Sequence, residues 1–317
     1  MFYSGRVHNS CKGMPMRAIQ IALALATAVS CAPIATVVQA QKPLAPNDSM
    51  VVSTAWLAAH LTDPKVVLIE VTMDAKPTAE GHIPGARQLP YQEFTTKRDG
   101  LSSEIPGVDS LKAKLETLGV ADDSRVVVYA LHAPMATRLL MTLDYLGHQK
   151  FSYLDGGLAK WRVESRAVTQ ETIVVVRHTF TPRLHPEIVV SADWIAGHIG
   201  KPGLSLIDTR TDGEYNGTGN RSGMPSAGHL DGARQLEWES LFRSDNPLLL
   251  KDRAELSKLY ADRVQPGDTV VTYCWVGYRA SATYFAARLL GYDAKFYDGS
   301  YQDWQMRKLP TKMGSAP

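Results

Sequence analysis

Short apolar runs rich in β-branched residues alternate along this chain with longer stretches in which apolar residues return every three or four positions. The runs at 66–71, 126–130 and 151–154 predict strands, and the spacing at 54–60, 110–118 and 134–146 predicts helices. Ser53 sits where an N-cap belongs, and Gly119 and Gly147 where helices stop. The same order then returns. Ser191 precedes a helix at 192–198, followed by a strand at 204–208, a helix at 253–260 and a strand at 269–273. A helix at 280–290, stopped by Gly291, and a strand at 295–297 complete the second series.

Letter-for-letter similarity supports the duplication. Gly81-His82-Ile83-Pro84-Gly85-Ala86-Arg87-Gln88-Leu89 returns as Gly228-His229-Leu230-Asp231-Gly232-Ala233-Arg234-Gln235-Leu236. Alternating short strands and helices imply an α/β fold with a central, mainly parallel sheet and helices on both faces, used here twice in tandem. The copies are expected at 49–165 and 188–310, joined by a connector at 166–187 in which 173–176 runs extended along one copy. A chain of 317 residues is long enough for two cores.

Residues 1 to 40 carry only Arg6, Lys12 and Arg17 as charges, then an uncharged alanine-rich stretch and the small-residue site Val38-Gln39-Ala40. This is the pattern of a cleaved export signal, and it predicts an exported, periplasmic protein. An uncleaved anchor or a lipid-modified Cys31 are the competing readings of the segment. Of 34 basic residues, 31 then remain against 32 acidic ones, so the body is near neutral. Neither nucleic acid nor, after signal cleavage, a membrane is an expected partner. Cleavage also removes Cys11 and Cys31 and leaves Cys274 alone, without a disulfide partner. A solitary thiol in an oxidising compartment is expected to be there to react.

Cys274 ends the strand at 269–273 and opens the loop Cys274-Trp275-Val276-Gly277-Tyr278-Arg279 ahead of the helix at 280–290. In open parallel sheets, reactive groups gather at this carboxyl end of the strands. Loop amides and the helix amino terminus favour a thiolate over a thiol, and Gly277 supplies the backbone freedom a tight loop needs. The first copy has Ala130-Leu131-His132-Ala133-Pro134-Met135 at the same place, with neither thiol nor glycine, and His132 there reads as structural.

Asp208-Thr209-Arg210, Glu214-Tyr215, the Gly228 to Ala233 segment, the C-x-x-G-x-R loop and the closing Asp298-Gly299 with Trp304 together resemble the rhodanese family of sulfurtransferases in its tandem form. The resemblance implies a catalytically inactive first domain and an active second one. It implies transfer of sulfane sulfur from an anionic donor, of the thiosulfate or 3-mercaptopyruvate class, through a persulfide on Cys274. The acceptor would be cyanide, a small thiol or a protein thiol, and no metal or organic cofactor is implied. The substrate-contact candidates are Arg210, Arg221, Arg279, Trp275, Val276, Gly277 and Tyr278. For Arg210 the alternative is an ion pair with a carboxylate such as Glu214, and for Arg221 a solvated loop position. His229 and Arg234 have counterparts in His82 and Arg87 of the copy without a thiol, which makes them structural. Two other functions compete: a non-turnover persulfide carrier or binding scaffold for a partner protein, and a cysteine phosphatase. The last would require arginine one position later than Arg279.

Overall fold

A computed structural model describes residues 47–73, 81–219 and 228–317; the segment at 1–40 and Arg221 lie outside the described residues. The described residues form one compact unit built on two five-stranded, all-parallel sheets. In the first sheet the strands lie in the order Val51–Val52, Phe151–Leu154, Arg125–Ala130, Val66–Thr72, Arg87–Pro90. The second repeats that order with Val189–Val190, Ala294–Tyr297, Thr269–Tyr273, Leu204–Asp208 and Arg234–Gln235. Local signals recur with the strands. Ser53 and Ser191 each accept a hydrogen bond from a main-chain N–H three residues on, and the following tryptophans stack on histidines one turn later, Trp56 on His60 and Trp194 on His198. His82 pairs through its backbone with Thr169, and His229 with Lys312, so each copy ties down the chain that leaves it; this agrees with a structural role for both.

Strand parity decides which face of each sheet meets the other copy. Val126, Val128 and Ala130 share one large core with Val270 and Cys274 of the second copy, whereas Val127 and Tyr129, and Val271 and Tyr273, face separate outer cores. Alternation therefore turns position 274 toward the partner copy. Two helices fill that shared core: Ala133–Tyr145 and Ala280–Leu290. Thr137 Oγ1 lies 2.8 Å from Ser281 Oγ, and Arg288 Nε donates to Asp144 Oδ2 at 3.0 Å. Both pairs join positions 144 residues apart, the offset that also relates Ala130 to Cys274, so equivalent residues meet across a pseudo-twofold axis.

Two antiparallel hairpins were not expected from the sequence. Thr96–Arg98 pairs with Leu101–Glu104, and Phe242–Arg243 with Asn246–Leu250. They are reciprocal clasps. The second hairpin gives the Leu250 N–H to Asp155 of the first copy (2.9 Å), and the segment after the first hairpin gives the Ile105 N–H to Asp298 of the second (2.8 Å). The connector runs along the first copy: the N–H groups of Arg183 and His185 bond to the carbonyls of Leu146 and Tyr145, while Val174 and Val176 point to solvent. Among the described residues, no helix is long and apolar enough to cross a membrane, and no cluster of His, Cys, Asp and Glu is arranged to hold a metal.

Candidate active site

Between the copies lies a cleft of about 660 Å³. Met73, Tyr91, Ser103 and His132 line it from the first copy, and Thr211, Glu214, Trp238, Val276, Tyr278 and Arg279 are among the residues lining it from the second. The floor is the loop that follows Cys274. Gly277 takes a φ of +75°, and a Cβ there would lie 2.9 Å from the carbonyl oxygen of Asp298, so only glycine fits without a shift. The corner after strand Ala294–Tyr297 holds the cysteine itself. Cys274 N–H donates to Ser300 Oγ at 3.3 Å, Ser300 Oγ donates to the Tyr297 carbonyl, and Tyr301 N–H donates to the Cys274 carbonyl at 3.0 Å.

Cys274 is fully buried, against the expectation of an accessible thiol. It lies just beneath the cleft: Tyr91 and Arg279, both lining residues, are within electrostatic reach of its sulfur. Tyr91 meets Tyr278 edge-on at 5.4 Å between ring centroids, and this pair bridges the two copies beside the thiol. Among the described residues, the N–H groups of Val276, Gly277 and Arg279 have no acceptor, which leaves three uncommitted main-chain donors in this loop.

The remaining candidates separate. Arg279 reaches the cleft, but Glu214 grips it bidentately, with both N–O distances 2.7 Å. Burial opposes the charges on both partners, yet their mutual pairing prevails: it holds Glu214 down at about 2 and keeps Arg279 above its usual value. Glu214 is itself placed by a capping box with Thr211 at the start of helix Asp212–Asn216. Arg210 does not line the cleft. It is fully buried, donates to both oxygens of Asp208 and to the Gly228 carbonyl, and stacks on Tyr301 at 3.9 Å. An ion pair was the alternative foreseen for it, with Asp208 rather than Glu214 as the partner. Trp275 turns into the second copy's outer core beside Tyr301 instead of forming the cleft mouth. Val276 and Tyr278 do face the cleft. His132, read as structural, is exposed on the cleft wall.

Sequence reasoning passed over Tyr91, Trp238, Glu237 and Glu239, all in or beside the clasps and short turns it had not located. Burial, followed by the neighbouring Glu239 and Asp212 charges, lifts Glu237 above the ordinary carboxylate range. Arg279 is the one fixed cation among the described lining residues, and Glu214 neutralises it.

The rhodanese-like domain pattern matches residues 53–164 and again 191–307. The chain belongs to the rhodanese-like family of sulfurtransferases. A thiosulfate sulfurtransferase of Pseudomonas aeruginosa is 31% identical over 258 residues, covering 80% of this chain and 93% of the relative. The sulfur carrier protein TtuD of Thermus thermophilus is 31% identical over 277 residues, covering 81% and 94%. Among solved structures, SseA of Escherichia coli, described as a 3-mercaptopyruvate sulfotransferase, superposes with a TM-score of 0.69 at 25% identity, covering 79% of this chain and 98% of that one. In this rhodanese-like protein each pattern match spans four of the five strands of one sheet, and Cys274 occurs in the second match.

Proposed function

We propose that the protein moves sulfane sulfur through a persulfide on Cys274, with thiosulfate as donor. The Cys274 thiolate attacks the outer sulfur of thiosulfate, the S–S bond breaks, and sulfite leaves with the bonding pair. The persulfide anion then gives its terminal sulfur to cyanide or a thiol, releasing thiocyanate or a new persulfide and restoring the thiolate. The observation that carries this reading is the position of Cys274: at the carboxyl end of a central strand, opening the loop that floors the cleft, in which several main-chain N–H groups are uncommitted among the described residues. Relatives named for thiosulfate support the choice of donor.

Steady-state thiocyanate formation with thiosulfate and, separately, with 3-mercaptopyruvate tests the donor. Thiosulfate is expected to give the higher kcat/KM, and a higher value for mercaptopyruvate would overturn that choice. Arg279 is committed to Glu214, so donor charge falls to the loop amides, which favours modest donor affinity. That same commitment weighs against a phosphatase, whose loop arginine must hold phosphate.

The carrier relative favours one second reading, a persulfide carrier that discharges to a protein. Sulfur uptake without turnover on cyanide or small thiols would support it. We place the protein outside the cytoplasm on the export pattern of residues 1–40, which cell fractionation tests; recovery of the uncleaved chain in the cytoplasm would count against this.

A further inference from the structure

The duplicated interface is symmetric at Thr137 with Ser281 and at Asp144 with Arg288, and it breaks symmetry one residue after Thr137. Arg138 stands where the second copy has Ala282, so at this position the first copy alone sends a cation across the axis. The Arg138 side chain is fully buried. Its Nη2 donates to Asp298 Oδ1 at 2.6 Å and to the Ser103 carbonyl, and its guanidinium lies 4.9 Å from the centroid of the Phe296 ring. Among the described residues, Nε and Nη1 have no partner. Nη1 lies 3.1 Å from the place a Gly277 Cβ would occupy, directly under the loop that follows Cys274. A buried guanidinium with an uncommitted N–H group is costly unless something anionic faces it. Among the described residues, the corresponding corner of the first copy, at Asp155, receives only the Leu250 N–H.

We propose that Arg138, supplied by the copy that lacks a cysteine, is a positioning residue for sulfur transfer: its uncommitted N–H groups beneath Gly277 favour the anionic sulfur on Cys274. The inference rests on the persulfide reading above. Tyr91 is within electrostatic reach of both the Arg138 charge and the Cys274 sulfur. Arg138 also anchors Asp298, two residues before the Ser300 hydroxyl that accepts the Cys274 N–H. The first copy therefore contributes charge as well as a wall.

The test follows alkylation of Cys274 by iodoacetamide from about pH 5 to about pH 9, read by intact mass. The charged or titratable groups around the thiol and Arg138 are Tyr91, Arg279, Asp298 and Glu104. Glu104 is pushed up to about 7 by burial and by Asp298, so all variants carry Glu104→Gln to remove its inflection. Arg138→Met alone strands Asp298, so the informative comparison is Arg138→Met with Asp298→Asn against Asp298→Asn alone. The double variant is expected to have its alkylation midpoint about one pH unit higher, roughly tenfold slower at neutral pH, with Arg138→Lys close to the parent. Coincident midpoints in the two Asp298→Asn proteins would overturn the proposal. Should the double variant not fold, a folded Arg138→Lys protein decides: a parent-like midpoint supports a charge role, and a raised one refutes it. Sulfur uptake from thiosulfate by the unmodified protein is measured alongside. No uptake defeats the persulfide reading, whereas uptake with coincident midpoints defeats only the role of Arg138.

Discussion

Glu214 closes the cap of its own short helix and grips Arg279, so one carboxylate fixes both the wall and the edge of the cleft floor. Its pKa is lowered to about 2, below the ordinary 4.5. The stability it supplies is therefore present above about pH 4.5 and fades as pH falls through about 2. Glu214→Gln, which leaves Arg279 buried without its counter-charge, is expected to cost about 3–5 kcal/mol in urea unfolding at neutral pH. The cost should shrink toward pH 2, and adding Arg279→Met should recover most of it. Glu104 has the opposite sign. Burial and the nearby Asp298 push it up to about 7, so the folded state holds its proton more tightly than the unfolded chain does. Stability is then lost as pH rises from about 4.5 to about 7. Glu104→Gln is expected to be more stable than the parent by ~1–2 kcal/mol at pH 8, a figure reduced because Arg98 shares the charge, and equal to it near pH 4. Urea titrations at the two pH values measure the difference.

The loop from Cys274 to Arg279 depends on elements that bring no reactive group to it. Gly277→Ala places a side chain at positive φ against the Asp298 carbonyl, and the expected result is a lower Tm with sulfur uptake slowed tenfold or more. Uptake at the parent rate would show that this loop geometry is dispensable. The strands and long helices were legible because their periodicities are strong: the strands at 151–154, 204–208 and 269–273 and the helices at 192–198 and 280–290 agree with the structure at both ends. The clasps were not. For the first, Asp99-Gly100 carried the signal, since both residues take positive φ and form a tight hairpin turn, but its strands are polar and short. The second turns through Ser244-Asp245 and has no such signature. Missing the clasps hid Tyr91 and Trp238, which the sequence separates from Cys274 and the fold brings to the same cleft. The arginines were only partly legible for a related reason: spacing locates Arg210 and Arg279 near the thiol but cannot tell that Asp208 and Glu214 grip them.

At the scale of the whole molecule, one core runs through both copies, and the clasps and the helix pair join them along a pseudo-twofold axis. Separate unfolding of the copies would expose that shared core, so a single cooperative transition is expected in calorimetry. Asp144 receives Arg288 and the Tyr284 hydroxyl in this interface. A double-mutant cycle between Asp144→Asn and Arg288→Met should give a coupling of about 1–3 kcal/mol, and a value near zero would show that the axis pair adds nothing. The duplication thus explains why a copy without a thiol is kept: it walls the cleft and buries the floor from below. The account stands or falls on the sulfur that this arrangement is built around. Intact-mass analysis with peptide mapping, after exposure to thiosulfate and removal of excess, tests it most directly. The account predicts a gain of one sulfur atom, mapped to Cys274 and absent from Cys274→Ser. A parent protein that takes up no sulfur, or a Cys274→Ser variant that still does, would contradict it.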